Sequence, residues 1–190
     1  MITVAGVATV PLITKLAGRF DKKDVFMGVI GLCGLAMMST RIIGIDSFSM
    51  LVVVCLLYAV ANACYWQLMP SMIYDVCEVE ELISGEKHSG AVISLQALSE
   101  SISIAVGLQV LGIILAMAGF DSEAAAQSQL AMTWVENAFV VIPGAAMVCV
   151  ALIVRKFPMT KELFNRVKEA LERRRAGEEI DIDEFIEIFE

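Results

Sequence analysis

Charged residues divide the 190-residue chain into five apolar stretches, at about 1–18, 25–45, 49–73, 89–119 and 131–154. The last four are each long enough to cross a bilayer, since about 20 residues of helix span about 30 Å of hydrocarbon. The first reads as a span cut short, which predicts an upstream portion outside this chain. Between the third and fourth stretches lies an acidic loop carrying Asp75, Glu78, Glu80, Glu81 and Glu86. With hydrocarbon on both flanks it is expected to be a membrane-surface turn, and Pro70 is expected to kink or end the helix that precedes it.

Inside the spans that flank this loop, polar positions recur at helical spacing. Lipid offers Asn62, Gln67, Gln96, Ser99, Glu100 and Ser103 no hydrogen-bond partner, so they are expected to line a water-filled cavity. Tyr58, Asn62, Tyr65 and Met69 follow steps of four, three and four and therefore share a face, with Trp66 beside it. Rings next to amides suit a ligand with flat apolar faces and hydroxyl groups, as a sugar has, with Asn62 and Gln67 bonding its oxygens. Helix packing with an interfacial aromatic belt accounts for the same stripe.

In the fourth stretch Ser89, Gln96, Glu100, Ser103 and Gly107 share a face that is too polar for lipid. Glu100 is the one ionisable residue near the middle of any span. A carboxylate there must neutralise, pair or meet water, which marks either a proton, cation or substrate pathway or a hydrogen-bonded helix contact. Glu136, near the outer end of the last span, is expected to reach water.

Composition agrees with the pattern: 58% of residues are hydrophobic and the mean hydropathy is +0.75, more than a soluble core of this size requires. The net charge of −8 describes only the aqueous edges, because most acids lie in the loop or after Phe157. Of the 14 Lys and Arg residues, all but Arg41 fall on one face of the predicted bundle. By the positive-inside rule that face is cytoplasmic, which places the C-terminus inside and the N-terminus outside. Basic and acidic residues alternate in the tail, so nothing points to nucleic acid. The five cysteines have no knuckle or redox spacing and read as packed thiols, and His88 reads as an exposed loop residue rather than a metal ligand. No cofactor is implied.

The chain is therefore predicted to be an all-helical integral membrane protein, with a transmembrane bundle over 1–156 and a cytoplasmic tail over 157–190. In the tail, Leu163, Phe164, Val167, Ala170 and Leu171 form one apolar helical face, expected to lie along the membrane surface. The segment 181–190 is expected either to dock on the basic turn at Arg19, Lys22 and Lys23 or to remain solvated.

Several of these features together resemble one family. The succession of the Tyr58-to-Trp66 span, Pro70, Asp75-Val76-Cys77-Glu78, Glu80, Gly85, Lys87 and Gly90, then the Ser94-to-Gly107 helix, is similar to the region joining helices ten and eleven of the glycoside-pentoside-hexuronide:cation symporters of the major facilitator superfamily. Leu16-Ala17-Gly18-Arg19-Phe20-Asp21-Lys22-Lys23 resembles the basic turn after their helix eight. Ile142-Pro143 and Phe157-Pro158-Met159-Thr160-Lys161 resemble the end of helix twelve and the start of the tail.

The resemblance implies a part of a secondary transporter, helices eight to twelve, that moves sugars or glycosides with sodium or a proton by alternating access between two six-helix halves. It implies no enzyme, a missing N-terminal half as partner, and a chain inactive alone. Trp66 matches an aromatic residue of the sugar cavity and Asn62 lies one turn before it, with Tyr65 and Gln96 as further substrate candidates. Where several members carry a lysine in helix eleven this chain has Ser101, and Ser89 replaces a loop acid. Glu100, Ser101 and Asp75 are thus the coupling or pathway candidates. A permease for a non-sugar solute or lipid, or a membrane scaffold without transport, remains the alternative.

Overall fold

The computed structural model describes residues 2–44, 47–121, 123–124, 126–182 and 184–186. It is helical throughout the regular elements, in the order α1 (Ile2–Arg19), α2 (Lys22–Ile43), α3 (Phe48–Ser84), α4 (Ser89–Met117), α5 (Gln129–Glu136), a π-helical turn (Asn137–Val141), α6 (Ile142–Val154) and α7 (Lys161–Arg175). Among the described residues, four segments are long and apolar enough to cross a membrane: α2, α3, α4, and the continuous run Gln129–Val154.

Local chemistry sets the boundaries. Ser47, Ser128 and Thr160 accept hydrogen bonds from the amides of Met50, Ala131 and Leu163, which caps α3, α5 and α7. Gly85 ends α3 with φ of 80°, a left-handed conformation that a Cβ would strain.

The bundle core lies where α1, α2 and α3 meet, around Ile13, Phe26, Ile30, Cys64 and Leu68. Helices α2 and α6 approach each other backbone to backbone. A Cβ on Gly34 would lie 2.7 Å from the Gly144 carbonyl oxygen, and one on Gly144 would lie 2.9 Å from that of Gly34. Backbones can come so near only where both side chains are absent. Near the end of α2, Arg41 Nε donates to Asn137 Oδ1 of the π turn at 3.2 Å and the guanidinium lies 3.5 Å from Glu136, the last residue of α5. Glu136, half-buried, therefore meets an ion-pair partner. The π turn, a register shift of one residue, falls at the segment that presents Asn137 to Arg41.

Two expectations are corrected. Pro70 does not end the third helix: α3 runs 37 residues, about 55 Å, and most of the acidic segment is its last turns. The turn to α4 occupies only Gly85–His88. The extension persists because its apolar residues are buried, and what buries them is the tail. Leu163, Val167, Ala170 and Leu171 of α7 pack on Val79 and Leu82 of α3, with Met159 and Phe185 completing the cluster. The apolar face of the tail helix is therefore spent on protein instead of the membrane surface. In the segment 181–190, Glu184 pairs with Arg166 of α7, and 183 and 187–190 lie outside the described residues.

The basic turn has other partners. Lys22 binds both oxygens of Asp75 at 2.7 Å, Lys23 donates to the Phe157 carbonyl at 3.1 Å, and Asp21 accepts from the Lys161 amide at 2.8 Å. Arg175 makes a two-nitrogen contact with Glu81 at 2.6 and 2.9 Å, while Arg174 caps the Leu82 carbonyl at the end of α3. The α1–α2 turn, the α3 extension and the tail are thereby tied into one basic-end clasp.

Candidate functional site

Two grooves flank α3, and between them they hold the candidate residues other than Ser101 and Asp75. The first, about 480 Å³, lies against α1 and is lined by Gly6, Val10, Tyr58, Asn62, Trp66 and Gln67 among others. The second, about 640 Å³, lies against α4, where Tyr65 and Met69 face Gln96, Ser99, Glu100 and Ser103. Both volumes fall within the range of small-molecule sites.

The single face expected over Tyr58, Asn62, Tyr65 and Met69 is thus divided. The reason is where the stripe lies: its four residues fall within about 60° of one another, on the ridge between the two grooves, and the rings of Tyr65 and Trp66 fall on either side of that ridge. Their rings meet edge to face, with centroids 5.6 Å apart and planes at 87°, the arrangement that aromatic quadrupoles favour. Trp66 keeps 56% of its surface exposed, leaving a ring face free for a ligand.

Beside the first groove Gln67 Nε2 donates to Thr14 Oγ1 at 2.6 Å, and the Thr14 hydroxyl donates to the Val10 carbonyl at 2.9 Å. Gln67 Oε1 is buried and, among the described residues, without a hydrogen-bond partner. In the second groove, Gln96, Glu100 and Ser103 of the expected α4 face line the wall together with Ser99, without Ser89 and Gly107. Ser99 and Ser103 donate to the carbonyls one turn earlier, at 2.8 and 2.7 Å, which leaves their oxygens as acceptors beside Glu100. Helix α4 contains no buried residue.

Ser101 lies on another side of α4 and donates to the Ala97 carbonyl at 2.9 Å. Asp75 is not brought to Glu100. It lies buried in the basic-end clasp against Lys22, where its geometry is that of a structural ion pair. Sequence reasoning did not find Thr14, nor the pairs Lys22–Asp75 and Arg41–Glu136. The second pair had a signal, since Arg41 is the one basic residue on its face and Glu136 an acid at the end of an apolar span on that same face.

His88 sits at the turn into α4, outside the spans, with Nδ1 2.8 Å from Glu80 and Nε2 3.2 Å from Glu86. Its hydrogen bond to Glu80 and the nearby carboxylates hold its pKa above the ordinary value. Among the described residues no cluster of His, Cys, Asp and Glu is arranged to hold a metal ion.

Comparison with known proteins agrees with this membrane architecture. The chain is 23% identical over 165 residues to the protein named "Putative glycoside/cation symporter YagG" of Escherichia coli (strain K12), a match covering 87% of this chain and 36% of the relative. The chain thus spans little more than a third of that relative's length. The sequence profile of the family described as MFS/sugar transport protein matches residues 1–161. On that match, which takes in every element from α1 to α6, this multi-pass membrane chain belongs to the MFS/sugar transport protein family.

Proposed function

We propose that the chain supplies part of the substrate pathway of a sugar or glycoside symporter driven by sodium or a proton. The observation that carries this reading is the first groove, where Trp66 and Tyr58 present ring faces beside the amides of Asn62 and Gln67 in a sugar-transport family member. Rings stack on the C–H face of a pyranose while amides bond its hydroxyls. Glu100 takes the coupling role, with Gln96, Ser99 and Ser103 supplying hydrogen-bonding groups around it.

Both grooves lie open along one side. Alternating access requires a second helical unit moving against this one around a shared site, so helices from outside these 190 residues complete the pathway and the chain alone inserts without transporting. The N-terminus lies outside and the C-terminus in the cytoplasm, supported by the Lys and Arg asymmetry.

The test is uptake into liposomes of a radiolabelled panel of methyl glycosides by the transporter that contains this chain. Accumulation is expected only under an imposed sodium or proton gradient. Uptake of every sugar at the rate of empty liposomes, with the protein folded and inserted, would refute the reading, and gradient-driven uptake by the 190-residue chain alone would refute the need for a second unit.

A further inference from the structure

We propose that Gly6 is a specificity-determining residue: it presents no side chain to the α1–α3 groove between the Tyr58 and Trp66 rings, and so leaves room for the part of a glycoside that extends beyond the sugar ring stacked on Trp66. The inference rests on the sugar-site reading above for the ligand class, and on geometry for the space.

Among the described residues, neither backbone conformation nor packing asks for glycine at this position. Gly6 lies inside α1 without the positive φ of Gly44, Gly85, Gly119 and Gly177, so its backbone accepts an ordinary side chain. A Cβ on it would lie 3.9 Å from the Ala59 carbonyl oxygen and 3.9 Å from the Ala63 Cβ, and among the described residues these are its only neighbours from another helix within 4 Å. Those are ordinary contact distances. At Gly34 the same atom would lie 2.7 Å from the backbone of α6, which is the mark of a glycine that helix packing requires. Inside a helix glycine is less stable than alanine, and what position 6 gains in exchange is space.

That space belongs to the groove. Gly6, Ala59 and Ala63 line it together with Tyr58, Asn62 and Trp66, and the bond from Gly6 to a Cβ would point at Ala59 and Ala63 on α3. On α3 the exposed rings of Tyr58 and Trp66 are eight residues apart, about 12 Å along the axis. Ala59 and Ala63 fall between them, so the smallest side chains of both helices meet midway between the two rings. A pyranose stacked on Trp66 therefore has an open course past Gly6 toward Tyr58, which suits a second sugar or an aryl aglycone. A long side chain at position 6 rises over Ala63 and narrows that course, while the face of Trp66 stays open.

Two measurements on the assembled transporter in lipid nanodiscs test the proposal. The first needs no ligand: in a cysteine-free background, Ala63→Cys is labelled with a small and with a bulky methanethiosulfonate. Gly6→Leu should slow the bulky reagent by about tenfold or more and the small one by about threefold or less. Gly6→Ala, which adds only the methyl group that fits, should show the same order to a lesser degree and carries the test where the leucine protein does not assemble. Two reagents left unaffected, or slowed alike, overturn the role of Gly6, whatever the substrate. The second compares binding of a methyl glycoside with that of an aryl glycoside and a disaccharide built on the same first ring. Gly6→Leu should weaken the longer ligands by about tenfold or more and the methyl glycoside by about threefold or less. Equal losses, or a wild type that binds the methyl glycoside and neither longer ligand, overturn size selection. If the labelling separates by size and no glycoside binds the wild type, the sugar reading is what has failed and the space beside Gly6 stands.

Discussion

With 56% of its surface open, Trp66 can give a ligand more contact than any other side chain in its groove. Trp66→Ala should lower glycoside affinity by about tenfold to a hundredfold, equivalent to roughly 1–3 kcal/mol, and Trp66→Phe should keep part of it. Equilibrium binding reads this directly, and unchanged affinity in the alanine variant would remove Trp66 from the site. Glu100 predicts a different split. Glu100→Gln preserves shape and hydrogen bonding but cannot titrate, so gradient-driven accumulation should fall while binding and exchange persist. A glutamine variant with normal accumulation would leave Glu100 a purely structural role. These assignments were partly legible in the sequence. The polar face of α4 was readable because a 3.6-residue period fixes which side chains share a side, whereas the split of Tyr65 from Trp66 depends on where α1 and α4 lie, which no local pattern encodes.

Glycine spacing and buried contacts make predictions for whole helices. Gly34 and Gly144 let α2 and α6 touch backbone to backbone. Gly34→Val should force the pair apart, cost about 1–3 kcal/mol in overpacking, and appear as less folded protein extracted from membranes. Leu82, fully buried between α3 and the tail, offers a second measurement. Leu82→Ala should weaken tail docking by about 2–5 kcal/mol and speed tryptic cleavage at Arg173, Arg174 and Arg175, and an unchanged cleavage rate would mean that the tail is held by its ion pairs instead.

His88 adds a pH dependence to the α3–α4 turn. Its folded-state pKa is raised, chiefly by the Glu80 hydrogen bond, so the contact contributes fully below the ordinary histidine range and is lost as pH rises through the raised value. Because the chain has one histidine, an NMR titration reads it without ambiguity, and Glu80→Gln should bring the midpoint down. The α3 extension itself escaped sequence reading. Its acids advertise a loop, while Val79 and Leu82 look like isolated apolar residues until the tail is brought against them.

For the molecule as a whole, the hydropathy pattern was sufficient to place the spans, because lipid forces backbone groups into helices and leaves few alternatives. Orientation is checked by labelling single cysteines in a cysteine-free background: positions 22 and 86 should react from the cytoplasmic side and position 123 from outside. Exterior labelling at 86 in intact cells would reverse the bundle. Position 46 carries the same expectation from the sequence but lies outside the described residues.

The Arg41 pairing has a further consequence, which concerns biosynthesis. Arg41 and its partner Asn137 are separated by 96 residues of chain, with Glu136 arriving just before Asn137. At about 5–20 residues per second, the ribosome takes about 5–20 s to deliver the partners after Arg41 has been made. The guanidinium must therefore be carried to its face of the membrane with its counter-charge still unsynthesised. The α2–α3 hairpin thus waits, correctly threaded but electrostatically incomplete, until the last span arrives to close it. An error in threading at Arg41 would be committed before the residue that rewards correct placement exists.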